Sequence, residues 1–244
     1  MLLLDAGQAT LESGISKLLD ATWSYITHTP IDEMRKSAEK GNAEAQYSLG
    51  LMCYSGEKVP RDYAEALKWI RRAAEENGHI DAQFVLGCMY DEGIGTPQNK
   101  SEAAMWYLKA AEQGHAIAQN NLGVLYEIGQ GVTEDEEEAM KWYRLSAEQG
   151  NVFGQFNLGY MYELGQNVKH DYEEAAKWYR KAAEQGHVYA QNNLGVMYEF
   201  GQGVEQDDEE ALKWYRLSAE QGNPTAQHNL EVYVPVSSKT LNHC

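Results

Sequence analysis

The chain of 244 residues carries 37 acidic against 20 basic side chains, a formal charge of −17. It therefore lacks the surplus of lysine and arginine that phosphate contacts need, which excludes a nucleic-acid binder as the default reading. Hydrophobic residues make up 43% of it, enough to bury a core, yet no apolar run approaches the roughly 18–20 residues of a membrane span.

In chain order, the start MLLLDAGQATLESG has no basic n-region and no usable apolar stretch, so a secretory signal is not expected. Three cysteines (Cys53, Cys88 and Cys244) without CxxC spacing read as reduced thiols. The expected compartment is the cytoplasm, or the periplasm or exterior if an export signal was removed. Leu11, Ile15, Leu18, Leu19, Thr22 and Ile26 form a helical stripe that predicts an amphipathic helix over about 10–27. Thr29-Pro30 restarts the chain, with Thr29 as candidate N-cap and Pro30 at the first helical position. Residues 1–41 are expected to be N-terminal capping helices, ending in the half-unit MRKSAEKGN, where Glu33 replaces the tryptophan of later units.

From residue 42 the sequence repeats itself. Tryptophan recurs as Trp69, Trp106, Trp142, Trp178 and Trp214, at intervals of 37, 36, 36 and 36 residues. A glycine closes each unit at Gly41, Gly78, Gly114, Gly150, Gly186 and Gly222. A fixed period of this size marks a solenoid built from nearest-neighbour contacts. The units are 42–78, 79–114, 115–150, 151–186 and 187–222, each with two helical patterns, A and B. Helix A shows one buried face, as in Ala118, Leu122, Leu125 and Tyr126; helix B shows another at Ala139, Trp142, Tyr143, Ser146 and Ala147. Gly50, Gly87, Gly123, Gly159 and Gly195 stand mid-helix, where glycine costs ~1 kcal/mol against alanine, so a neighbouring helix is expected to approach closely there.

Helix B opens at Asp62, Asn99, Asp135, Asp171 or Asp207, followed three residues later by Glu65, Glu102, Glu138, Glu174 or Glu210, a capping-box pattern. Gly-rich polar loops join the helices. Residues 223–244 are expected to form a half-repeat cap, NPTAQHNLEVY, followed by the extended or disordered tail VPVSSKTLNHC. The fold class expected is all-α, a right-handed α-solenoid of stacked helix-turn-helix repeats.

The segments AEAQYSLGLM, AQFVLGCMY, AQNNLGVLY, GQFNLGYMY and AQNNLGVMY, joined to WYRLSAEQGN-type segments, resemble Sel-one-like repeats, relatives of the tetratricopeptide repeats with a longer loop between the helices. The resemblance covers about 42–230. Cys53 and Ile70 depart from the repeat tyrosines, and Lys58 and Asn167 from the loop's second glycine. The resemblance implies an adaptor that binds proteins or peptides, usually along the concave face lined by the A helices. Family members are mostly bacterial, and some serve as immunity proteins against toxins.

Several motifs invite a chemical reading beside binding. The GQGV loops follow helices instead of strands and contain no phosphate-binding motif. His79, His115 and His187 share one position at the start of helix A; neighbouring stacked helices lie ~8–10 Å apart, too far for a shared metal, so surface or cap roles are expected. The tryptophans read as core. Ser37–Lys40 and Ser55–Lys58 match the S-x-x-K of a β-lactam hydrolase, but its other two motifs are absent. The acidic runs at helix B starts read as solvated caps. No catalytic residue, metal or cofactor is expected.

The distribution of charge points to a surface. Of the 20 basic residues, 11 lie in the helix B segments around and after the tryptophan, whereas the five complete A helices hold none. The candidate partner-binding residues on helix A are Tyr47, Leu51 and Tyr54; Phe84 and Asp91; Asn120, Val124 and Glu127; Phe156, Tyr160, Glu163 and Leu164; and Asn192, Val196, Glu199 and Phe200. Such an apolar strip with acidic edges suits a protein or peptide with apolar anchors and basic residues. The competing reading is that half of them pack on the next A helix. Asn121, Asn157, Asn193 and Asn229 form a second ladder, either bracing a neighbouring backbone or gripping a bound peptide's backbone. The function expected is a scaffold or adaptor, monomeric on its own and without nucleic-acid or membrane contacts. An inhibitor of one toxin is the alternative within binding, and a hydrolase the alternative outside it.

Overall fold

The computed structural model describes residues 22, 26, 28–165 and 169–238, with side chains as far as Val232, and all regular elements among them are helices. They are α1 (Ile31–Glu39), α2 (Ala43–Ser55), α3 (Tyr63–Asn77), α4 (Ile80–Glu92), α5 (Lys100–Glu112) and α6 (Ala116–Ile128). Then follow α7 (Glu136–Glu148), α8 (Val152–Leu164), α9 (Tyr172–Glu184), α10 (Val188–Phe200), α11 (Asp208–Glu220) and α12 (Pro224–Ser238). The even-numbered helices are the A helices of the repeat, and α3, α5, α7, α9 and α11 the B helices. The chain divides into two compact units between Trp142 and Tyr143. In the first, α2 packs on α3 and α4 on α5, while α3 also holds α4 and α5 holds α6. In the second, α8 packs on α9 and α10 on α11, with α9 holding α10 and α11 holding α12.

Local chemistry sets the helix ends. Asp62, Asn99, Asp135, Asp171 and Asp207 cap the B helices through one carboxyl or amide oxygen, each accepting backbone N–H bonds of 3.0–3.1 Å. The reciprocal half of the capping box takes another route. The backbone N–H of each cap residue donates to an A-helix carbonyl, as Asp207 does to Tyr198 at 3.0 Å. With that donor spent, the glutamates turn outward and bond a lysine one turn on, as in Glu65–Lys68, Glu138–Lys141, Glu174–Lys177 and Glu210–Lys213.

The mid-helix glycines face aromatic rings. A Cβ at Gly87 would lie 2.6 Å from the Tyr107 ring, at Gly159 2.9 Å from Tyr179, and at Gly195 2.7 Å from Tyr215. At Gly50 the same space holds Ile70, which explains how that departure from the repeat is accommodated. Tyr107, Tyr143, Tyr179 and Tyr215 are all fully buried. Of the tryptophans, Trp69, Trp106, Trp142 and Trp214 are core, whereas Trp178 is only half-buried.

The ends differ from the sequence reading. The helix expected over 10–27 lies mostly outside the described residues. Pro30, not Thr29, is the N-cap residue of α1: its ψ of 137° keeps it extended, so Ile31 is the first helical residue. At the other end, residues 234–238 are not an extended tail but the last turns of α12. Pro235 has no N–H to donate to the carbonyl of Glu231. Residues 239–244 lie outside the described set.

The glycine contact carries a test. Replacing Gly195 with Ala forces the Tyr215 ring to move, an overpacking cost of about 1–3 kcal/mol, while helix propensity returns roughly 1 kcal/mol. A net destabilisation of up to ~2 kcal/mol is expected in chemical denaturation. An unchanged or raised midpoint would show that the ring can step aside.

Candidate interaction surface and the joints beneath it

Two polar joints link A helices to adjacent B helices, and they decide which side chains remain for a partner. The first uses the glutamine at the fourth position of helix A. Gln46 donates to the carbonyl of Ala38, Gln119 to Ala111 and Gln191 to Ala183, at 3.0, 3.0 and 3.1 Å. Amides at this position also accept from the residue that ends their own repeat's B helix: Gln113 donates to Gln83 and Gln185 to Gln155 at 2.7 Å, and Gln221 to Gln191 at 2.8 Å. This glutamine is buried in the first five A helices. Sequence reasoning passed over it, although its recurrence in the AQ and GQ pairs of the repeat was visible.

The second joint centres on the helix B tyrosine. The Tyr215 hydroxyl donates to Glu199 at 2.6 Å, and that of Tyr179 donates to Glu163. Asn193, from the next A helix, hydrogen-bonds the Tyr179 hydroxyl as well, and Asn121 does the same for Tyr107. Burial, and after it the Glu163 charge, push the Tyr179 hydroxyl far above its ordinary range, so it stays a donor. Asn121 and Asn193 thus meet the tyrosine side chain of the preceding B helix, not a neighbouring backbone as one of the two sequence readings had it. Asp91 is one carbon shorter than Glu163. Tyr107 donates instead to the Cys88 thiol at 3.3 Å, and the buried Asp91 pairs with Lys100 at 2.6 Å.

Against these joints the candidate surface divides. Tyr47, Leu51, Phe84, Asp91, Asn120, Val124, Phe156 and Asn192 are buried, so they serve packing and offer a partner no surface. Asn120 donates to Asn121 at 3.3 Å, and Asn192 accepts from Asn229 at 3.2 Å. Five of the buried candidates, Tyr47, Phe84, Asn120, Phe156 and Asn192, hold the fifth position of an A helix, which is buried in α2, α4, α6, α8 and α10 and exposed in α12, at His228. Tyr54, Glu127, Tyr160, Glu163, Val196 and Glu199 are half-buried. Leu164 is 40% and Phe200 64% exposed. The accessible apolar candidates therefore concentrate on α8 and α10 of the second unit. On those two helices Glu163 and Glu199 are the only charged residues. Basic side chains lie on the B helices, where Lys109 and Lys181 cover the Trp106 and Trp178 rings at 3.7 and 3.8 Å.

The three histidines are caps. The Nδ1 atoms of His79, His115 and His187 accept the backbone N–H of Ala82, Ala118 and Ala190 at 3.3, 3.1 and 3.1 Å. Each ring stacks on an aromatic of the preceding A helix, Tyr47, Phe84 and Phe156, at 4.5, 4.5 and 4.4 Å. Asn42, Asn151 and Asn223 hold the same place in the other units. Ser55, in one of the two S-x-x-K matches, is spent locally, with its hydroxyl on the Met52 carbonyl and the Glu57 N–H. Among the described residues no group of three His, Cys, Asp or Glu is arranged to hold a metal, and no helix is long and apolar enough to cross a membrane.

Comparison with known proteins agrees with this geometry. The family model of the Sel1 repeat matches residues 43–78, 80–115, 116–151, 152–187 and 188–223. Among solved structures, c5321, a protective antigen of uropathogenic Escherichia coli with an SLR fold, is 44% identical over 83% of this chain, with a TM-score of 0.80. This chain covers only 43% of that protein. A Sel1 repeat protein from Oxalobacter formigenes is 36% identical over 90% of this chain and 86% of its own, with a TM-score of 0.75. The immunity protein Pa5087 from Pseudomonas aeruginosa, 21% identical over 90% of this chain and 88% of its own at a TM-score of 0.50, shares the fold. No curated protein matches the chain.

The histidine caps predict a pH dependence. Burial lowers the affinity of His115 for a proton, and the Asp81 carboxylate, 3.5 Å from Nε2, offsets only part of that. The folded chain then binds fewer protons at this site than the unfolded chain. Its stabilising contribution is full above the unfolded value of about 6.5 and falls as the pH drops below it. His115→Asn keeps the cap, as Asn42 and Asn151 do, but does not titrate. Urea denaturation at pH 7.5 and 5.5 should show a smaller loss of stability for the variant than for the parent; equal losses would mean that His115 does not titrate in this window.

Proposed function

The chain belongs to the Sel1 repeat family, whose members generally act as protein–protein interaction scaffolds, and we propose that it binds a protein or peptide segment on the A-helix face of α8 and α10. One observation carries the choice of face. Tyr160, Leu164, Val196 and Phe200 keep accessible apolar surface there, beside Glu163 and Glu199 and with no cation on either helix. A partner with apolar anchors and lysine or arginine meets both requirements. The B helices are less suited: many of their exposed charges are already paired within one helix, and exposed pairs of this kind hold a partner weakly. A toxin inhibitor, the alternative within binding, rests on likeness of fold alone, and no residue described above favours it. No catalytic step is proposed.

Affinity capture from lysate with quantitative mass spectrometry, repeated by surface plasmon resonance on the dominant partner, tests the face. Tyr160→Ala with Phe200→Ala should weaken capture at least about tenfold, chiefly through faster dissociation, because a buried anchor is lost. Lys177→Ala with Lys213→Ala on the B helices should leave it unchanged. Association should quicken at low salt as the carboxylates steer a basic segment. If only the B-helix variant lost the partner, while circular dichroism showed both variants folded, the assignment of the face would be wrong.

A further inference from the structure

We propose that the N-terminal turns of α8 and α10 form an anchor pocket for one uncharged aromatic side chain of the partner segment, an inference that rests on the binding face proposed above. A cavity of about 300 Å³ opens there, between Val152 and Phe153 on one side, Val188 and Tyr189 on the other, and the turn 185–187 beneath. It lies wholly within the second compact unit.

Its walls are set before anything binds. The His187 ring is pinned by its Nδ1 bond to the N–H of Ala190 and by stacking on Phe156. Phe153 meets that ring edge-on, at 5.7 Å and 85°, and Tyr189 lies 6.2 Å from it. These separations fall in the 4.5–7 Å range of favourable aromatic pairing, so a further ring adds edge and face contacts to surfaces that need no rearrangement.

The other histidine joints show why this one accepts an apolar group. Glu44 stands 3.2 Å from His79, and Asp81 stands 3.5 Å from His115. Phe153 occupies the corresponding position before His187, so the carboxylate is replaced by a ring and no carboxylate, lysine or arginine lines the cavity. A carboxylate or an ammonium group entering it would lose water without gaining a counter-ion, whereas an aromatic ring loses nothing.

The pocket also fixes a spacing. Glu163 and Glu199 stand ten residues beyond Phe153 and Tyr189, about 15 Å along a helix at 1.5 Å per residue. An extended segment covers that span in roughly four or five residues. The partner motif is therefore an aromatic residue separated from lysine or arginine by that interval.

The probe is a phage-displayed library of random dodecapeptides, panned on the full chain and on variants checked by circular dichroism. Phe153→Asp installs the residue type that Asp81 provides beside His115, and Tyr189→Glu, which follows the example of Glu44, serves if the first variant does not fold. The parent chain should enrich peptides with the aromatic-to-basic spacing. Phe153→Asp should lose the aromatic enrichment at least tenfold and retain the basic preference, and Glu163→Gln with Glu199→Gln should do the reverse. If Phe153→Asp enriches the same aromatic peptides as the parent, the pocket is overturned while the binding face stands. If Tyr160→Ala with Phe200→Ala also leaves enrichment unchanged, or the parent enriches nothing, the face is overturned with it.

Discussion

The structure depends on a tyrosine ring lying where an A-helix side chain would otherwise be. Glycine at positions such as Gly87, Gly159 and Gly195 lets the ring of Tyr107, Tyr179 or Tyr215 reach the A-helix backbone. That approach brings the hydroxyl of Tyr179 and Tyr215 to a glutamate on the A helix of the same repeat, and that of Tyr179 to an asparagine from the next. A buried hydroxyl without such partners is costly, so glycine, tyrosine, glutamate and asparagine form one constraint. Within the second compact unit this constraint and the glutamine joint connect neighbouring repeats through directional bonds, in addition to apolar burial.

This arrangement limits what a partner can find. Carboxylates that look like a free acidic rim are partly committed to the tyrosines beneath them. They still contribute negative charge, but their positions are fixed by the fold, which favours them as landmarks for a basic segment over adaptable contacts. Apolar side chains next to them divide according to depth in the joint. At the fifth position of α2, α4, α6, α8 and α10 the residue is buried, whether it is Tyr47, Phe84, Asn120, Phe156 or Asn192. At the thirteenth it reaches solvent, as Leu164 and Phe200 do.

Variation between repeats is then where specificity can reside. The buried glutamine recurs in the first five A helices, while the second residue of helix A changes from Glu44 and Asp81 to Ile117, Phe153 and Tyr189. The first two face histidine caps with a carboxylate, and Phe153 faces one with a ring. A scaffold that keeps its joints constant and varies such positions can change its partner without disturbing its stacking.

The sequence alone determined the helices, their period and most of their ends, because those are local: a 3.6-residue stripe, an Asp or Asn cap and a glycine stop are each legible within one repeat. It also showed that something must press on the mid-helix glycines. What filled that space, the Tyr107, Tyr179 and Tyr215 rings, was decided by packing between helices about twenty residues apart. The same holds for the candidate surface. Leu51 and Val124 occupy the same wheel position as Tyr160 and Val196, yet the first two are buried and the second two half-exposed. Helical periodicity defines a direction around the helix axis, whereas exposure depends on what the neighbouring elements place in that direction, and only the tertiary structure supplies that.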